Sequence, residues 1–215
     1  MMWIVARWWR RRDRPARPED RRSLETLLEE FVAIDTETTG LDANRDAIVS
    51  LSVVPIRGGS PTPGYDTLVN PGRPIPPTAT RIHGITDAMV SAAPRLVEVL
   101  DEIETVLGDR VVVGHGVAFD LALLERERRV RHRPPLPNTT LCTMRLAVAL
   151  HPGWGMDVTL EALASRVGVP VVGRHTARGD ALVAGAIMVK LLPELARRGH
   201  RTLADAVWLQ HGARL

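Results

Sequence analysis

The chain has 215 residues, 45% hydrophobic and 25% charged, with a net charge of +3; these are ordinary proportions for a soluble globular protein with ample core. No apolar run reaches bilayer length, which excludes an integral membrane protein, and the single Cys142 excludes an intrachain disulfide, so a cytoplasmic location is expected. The charge is uneven: residues 1–22 hold eight Arg against three acidic residues, a local +5, which leaves −2 for the rest.

Met1 to Ala6 is too short for a signal-peptide core, and positive charge follows rather than precedes it. Trp3, Trp8 and Trp9 among arginines suit a peripheral membrane contact, a nucleic-acid arm, a segment docked on the body, or an extension with no function of its own. Pro15 and Pro18 set this extension, residues 1–22, apart from a single domain expected over 23–215. That domain opens with a short helical pattern from Ser23 to Glu30, with Ser23 as its N-cap.

Four apolar residues, Phe31 to Ile34, read as a strand buried on both faces, and the period of two then puts Asp35 and Glu37 on one face with Thr36 opposite. Two adjacent carboxylates are costly unless a cation neutralises them, and hard oxygen ligands suit Mg²⁺ or Mn²⁺. Taken alone, Asp-x-Glu equally reads as a strand end facing water. Thr38-Thr39-Gly40 supplies a turn. Ile48 to Ile56 reads as a second strand, Gly58 to Gly64 as a loop and Thr67 to Val69 as a third strand, together a meander. Asn70 to Pro77 is too proline-rich for helix or central strand and leads to His83-Gly84-Ile85-Thr86 and a short helix.

Apolar residues at 96, 99, 100, 103, 106 and 107 predict a helix over Arg95 to Leu107, stopped by Gly108. Val111 to Val113 reads as a buried strand, and Gly114-His115-Gly116 turns it into a helix beginning near Phe119-Asp120. That order places Asp120 at the carboxyl end of a strand next to the first, where open α/β sheets bind ligands. Arg126, Arg128, Arg129, Arg131 and Arg133 read as a solvated helix face rather than as phosphate guides. A strand near Thr139 to Thr143, a helix from Met144, and a helix from Leu160 to Val167 ended by Gly168 follow, with Cys142 as a core thiol. In the last motif, His175 to Asp180, a continuous helix would set the two end residues about 140° apart. They converge only if His175 sits on the entry loop.

Asp35-Thr36-Glu37-Thr38-Thr39-Gly40, Gly114-His115-Gly116-Val117-Ala118-Phe119-Asp120 and His175 to Asp180 resemble the three motifs of the DEDDh 3′→5′ exonucleases, the family that includes bacterial proofreading epsilon subunits. The resemblance covers residues 30–195 and includes Asn70-Pro71-Gly72 and His83 to Thr86. It implies an α/β, ribonuclease-H-like fold, a mixed five-stranded sheet flanked by helices. It also implies two Mg²⁺ (or Mn²⁺) ions, one held by Asp35, Glu37 and Asp180 and the other by Asp35 and Asp120, with His175 as general base. Backbone around Thr38, Thr39, Gly40 and Leu41, and the side chains of His83, His115 and Phe119, would contact the terminal nucleotide. The implied substrate is a single-stranded or frayed 3′ end, with DNA favoured over RNA and nucleoside 5′-monophosphates released.

Two alternatives stay open, an RNA 3′-end trimmer using the same carboxylates and a catalytically silent nucleic-acid-binding partner. Gly116 stands where the family usually has Asn, and Cys142 where members often carry Asp. Gln210 to Leu215 lacks the aromatic end of a sliding-clamp peptide, so a stand-alone exonuclease is expected.

Overall fold

A computed structural model describes residues 21–154 and 158–212. Residues 1–20 of the Arg/Trp-rich extension, with the expectations attached to them, lie outside the described residues. Helix α1 (Leu24–Glu29) starts at Ser23, whose side chain accepts a hydrogen bond from the Thr26 amide, and runs directly into β1 (Glu30–Thr38). Strand β1 pairs antiparallel with β2 (Ile48–Arg57).

The other edge of β2 carries two short strands end to end, β3 (Ser60–Pro61) against Ile56 and Arg57 and β4 (Tyr65–Leu68) against Ser50 to Val53. Pro55 explains the split. Its carbonyl faces that edge and accepts from Thr62 N at 2.8 Å, but it has no N–H to continue the ladder. At Gly64 a Cβ would lie 2.1 Å from Val53 O, so only glycine lets the chain pass so close. The expected five-stranded sheet is therefore five strand positions filled by six strands, the Gly58–Gly64 loop contributing β3.

On the other side of β1 the sheet turns parallel, with β5 (Val112–Gly114) and then β6 (Thr140–Cys142). Odd residues of β1, Phe31 and Ala33, face a core built with α6 (Thr143–Leu150), α7 (Leu160–Val167), α8 (Ala177–Arg197) and α9 (Leu203–Gly212). Even residues, Val32 and Ile34, face α4 (Leu100–Leu107) and α5 (Ala118–Val130). A small third cluster joins Val49 to Ile75, Ala79, Ile85 and Val90 around α2 (Pro77–His83) and α3 (Asp87–Val90).

Several expectations are corrected. The proline-rich run ends in α2, because Pro77 occupies the first helical position, where its missing N–H costs nothing. The helix expected over Arg95 to Leu107 is broken: Glu98 accepts the Arg95 amide at 2.7 Å, closing a 3₁₀ turn over Leu96–Glu98 before α4 begins. Three of the five arginines read as a solvated face instead hold the fold together. Arg128 is buried and ion-paired with Glu104, Arg133 pairs with Asp101 at 2.7 Å, and Arg126 donates to Ala43 O at 2.7 Å and Asp46 O at 2.5 Å.

At the far edge, the buried Gln210 of α9 accepts from Cys142 N at 2.9 Å and donates to Thr140 O at 2.8 Å, taking the place of a neighbouring strand.

Candidate active site

At the carboxyl end of β1 the pairing with β2 slips between Glu37 and Thr38, so that Thr38 faces Ile48. Alternation sends Asp35 and Glu37 to the α8 face of the sheet. There Asp180, in the first turn of α8, meets them, and one oxygen from each of the three carboxylates lies within 4.8 Å of the others. Asp120, in the first turn of α5, arrives from the opposite face, and the Thr36 hydroxyl donates to its Oδ1 at 2.6 Å. The acids thus converge on the end of one strand from both sides of the sheet. Each helix presents its acid at an N-terminus, where the aligned peptide dipoles favour negative charge.

The proximity is electrostatically costly. Burial, then Asp120, Asp180 and Glu37, push Asp35 well above the usual carboxylate range. Burial and Asp180 raise Glu37 to about 7. Burial raises Asp120 to about 7 against the Thr36 hydrogen bond, and burial raises Asp180 against the opposing pull of Arg174. A site that holds four acids against this repulsion, with Asp180 Oδ1 buried and without a hydrogen-bond partner among the described residues, has the hard-oxygen donor set of a divalent-cation site. These residues fit Mg²⁺ or Mn²⁺.

The loop before α8 delivers His175 beside Asp180 and outside the helix, as convergence requires. Thr176 caps α8, accepting from Gly179 N at 3.0 Å and donating to Gly173 O at 2.6 Å. Gly179 must be glycine: a Cβ there would lie 1.9 Å from Gly173 O. Arg174 donates through Nη1 to Asp180 Oδ2 and through Nε to Glu161 Oε1 of α7, the latter at 2.5 Å.

Loop 39–47 is organised by Asp46, which accepts the Thr39 hydroxyl at 3.0 Å and the Asp42 amide at 2.8 Å. A Cβ on Gly40 would meet the Asp46 carboxylate at 2.6 Å, so the glycine admits that contact. The Thr38 hydroxyl donates to Gly40 O at 2.6 Å, and Leu41 is left 54% exposed. His83 lies beside Thr38 and His175, its Nδ1 accepting from Ile85 N at 3.0 Å and its pKa lowered by burial. Phe119 is half-buried against the α4/α5 core.

His115, expected to contact the terminal nucleotide, is held in place by the protein itself. Its Nδ1 lies 2.9 Å from Thr143 Oγ1 and its Nε2 2.9 Å from Val158 O, and burial lowers its pKa to about 4. Both ring nitrogens are engaged inside the protein, joining the β5 turn to α6 and to the segment before α7. Gly116 and Cys142, the two departures from the family pattern, touch each other, the Gly116 amide donating to Cys142 Sγ at 3.3 Å. Gly116 has φ 83, a backbone conformation that glycine and asparagine accept most readily.

Sequence reasoning missed Thr36, Asp46, Glu161 and Arg174. Thr36, between Asp35 and Glu37 in the first motif, and Arg174, adjacent to His175 in the last, carried a positional signal.

A sheet of this strand order, with acids gathered at the carboxyl ends of its central strands, is that of the ribonuclease-H-like nucleases. Within them the chain belongs to the exonuclease family: the RNase_T exonuclease family model matches residues 32–188. The DNA polymerase III subunit epsilon of Aquifex aeolicus is 35% identical over 83% of this chain and 88% of its own length. A DNA polymerase III subunit epsilon-like protein of Rhodobacter capsulatus is 40% identical over 80% of this chain, which spans only 25% of that longer relative. Among solved structures, exonuclease X in complex with 5′ overhanging duplex DNA is 30% identical and superposes with a TM-score of 0.64, covering 84% of this chain and 99% of that one.

Proposed function

We propose that this protein is a DEDDh-type 3′→5′ exonuclease that removes nucleoside 5′-monophosphates from single-stranded or frayed DNA 3′ ends, using two divalent cations and His175 as general base. The observation that carries the reading is the convergence of Asp35, Glu37 and Asp180 within 4.8 Å, with Asp120 reaching the same strand end from the opposite face. A module that only bound nucleic acid would gain nothing from crowding acids against phosphate. Asp35, Glu37 and Asp180 would hold one cation, and Asp35 with Asp120 the second. The chemistry such ions supply when bound is neutralisation of the phosphate, a lowered pKa for the attacking water and stabilisation of the leaving oxygen.

The remaining work falls to the chain itself. His175, on the entry loop beside Asp180, takes the proton of the attacking water at an imidazole nitrogen. Loop 39–47, tied together by Asp46, and the exposed Leu41 would contact the last nucleotide. Preference for DNA rests on the kinship with the Aquifex epsilon subunit and on the likeness to exonuclease X, whose structure contains duplex DNA with a 5′ overhang.

Matched single-stranded DNA and RNA, labelled at the 5′ end, test the reading when incubated with Mg²⁺, Mn²⁺ or EDTA. The expected result is a ladder of DNA shortened from the 3′ end with either metal, and none in EDTA. Intact substrate under every metal condition, or equal shortening in EDTA, would falsify it; faster shortening of RNA would assign the RNA-trimming alternative.

A further inference from the structure

Arg174 is not among the groups that the chemistry above requires, yet it touches one of them. It is flanked by two residues with left-handed backbone, Gly173 at φ 70 and His175 at φ 60, and it is half-buried between α7 and α8. Its guanidinium uses two donors on two acids from different helices: Nε on Glu161 Oε1 at 2.5 Å and Nη1 on Asp180 Oδ2. Asp180 Oδ1 is buried and has no hydrogen-bond partner among the described residues.

From this geometry we infer that Arg174 is a positioning residue for Asp180: anchored by Glu161, it occupies Oδ2 and so leaves Oδ1 as the oxygen that Asp180 contributes to the cation site. The inference rests on the metal reading of the site. A simple countercharge would need no anchor, and an ammonium group in the same place lacks the rigid fork that spans two acids. Glu161 lies in the first turn of α7, next to the capping Thr159, so the anchor is itself fixed. Outer partners that orient a metal-ligating carboxylate change affinity about 10- to 100-fold when removed.

The two roles predict opposite signs for cation binding. A countercharge opposes a divalent cation, so weakening it tightens binding; a positioning residue aids the cation, so disturbing it weakens binding. The test is the Mn²⁺ dissociation constant of the full chain, read from the free-ion electron paramagnetic resonance signal, for the parent, Arg174→Lys, Arg174→Gln, Glu161→Ala and the Arg174→Lys/Glu161→Ala double variant. Circular dichroism establishes that each is folded, and Glu161→Ala, at a half-exposed surface position, keeps the test valid if an Arg174 variant fails to fold.

The expected result is weakening by about tenfold or more in Arg174→Lys and Arg174→Gln, and weakening in Glu161→Ala. The double variant should be no weaker than Arg174→Lys, since both changes break one chain of contacts. Folded variants that bind Mn²⁺ as tightly as the parent, or more tightly, overturn the positioning role while leaving the metal reading intact. A parent that binds no Mn²⁺ overturns both.

Discussion

The Thr36 hydroxyl donates to Asp120 Oδ1 at 2.6 Å, joining β1 to the first turn of α5 across the face opposite Asp35 and Glu37. Thr36→Val keeps the shape and removes this bond, leaving Asp120 in a buried site without the group that most favours its charged form. A hydrogen bond to a charged group is worth roughly 1.5–3 kcal/mol. The nuclease rate at limiting Mg²⁺ should therefore fall about 10- to 100-fold, with Thr36→Ser retaining most of it. Excess Mg²⁺ should recover part of the loss; a Thr36→Val enzyme with a parental Mg²⁺ dependence would remove the bond from the mechanism.

Neutralising one of the crowded acids should separate stability from activity. Asp35→Asn removes a carboxylate that burial and then the repulsion of Asp120, Asp180 and Glu37 disfavour in its charged form, so the metal-free variant should melt at a higher temperature than the parent. The same change removes a shared ligand and several kcal/mol of transition-state stabilisation, on the order of a thousandfold in rate. Melting curves in EDTA beside single-turnover rates in Mg²⁺ check both signs, and a variant less stable than the parent would mean that the acids are not in conflict. Glu37→Gln, Asp120→Asn and Asp180→Asn should each abolish turnover as well.

The pH dependence of the metal-free protein follows from the same shifts. Glu37 titrates near 4.5 when unfolded and at about 7 when folded, so between those values the folded state binds more protons and stability falls as pH rises. For this one group the loss amounts to at most about 3 kcal/mol. His115, lowered from 6.5 to about 4, acts in the opposite sense: its contribution is present above 6.5 and lost as pH falls toward 4. Only the last part of the decline, from pH 6.5 through the folded value of about 7, should consequently appear without opposition. Chemical denaturation at pH 6.5, 7.0 and 8.0 should show it in EDTA and not in saturating Mg²⁺; equal slopes in both would contradict the account.

Gly179→Ala tests the loop that carries Arg174 and His175. The added methyl would sit 1.9 Å from Gly173 O and 2.8 Å from Thr176 Oγ1, so the loop must move. Overpacking of this kind costs about 1–3 kcal/mol. A displacement of about an ångström can cost on the order of a hundredfold in rate. Both should be seen, by denaturation and by single-turnover kinetics, and a fully active Gly179→Ala enzyme would show that the close approach is dispensable.

What the sequence made legible follows the range of each signal. The β1 strand, its Asp35/Glu37 alternation and the placement of His175 outside α8 depend on local period and turn chemistry, and they agree with the structure. Helix α7 appears over the expected residues because an apolar stripe and Gly168 define it locally. The arginines of α5 misled because their partners, Glu104 and the carbonyls of Ala43 and Asp46, come from distant segments. The hydrogen bonds of His115 were hidden for the same reason, its partners being Thr143 and Val158. Thr36 was legible only as a face, since which helix would meet that face is decided by packing.

The two borders of the sheet have a consequence for how anything can approach it. One border is interrupted where Pro55 breaks the outer strand into two fragments, and at the other the Gln210 amide already engages the Cys142 and Thr140 backbone groups that an incoming peptide would need. Lateral growth of the sheet is thereby discouraged on both flanks, which protects the folded chain from strand-to-strand aggregation.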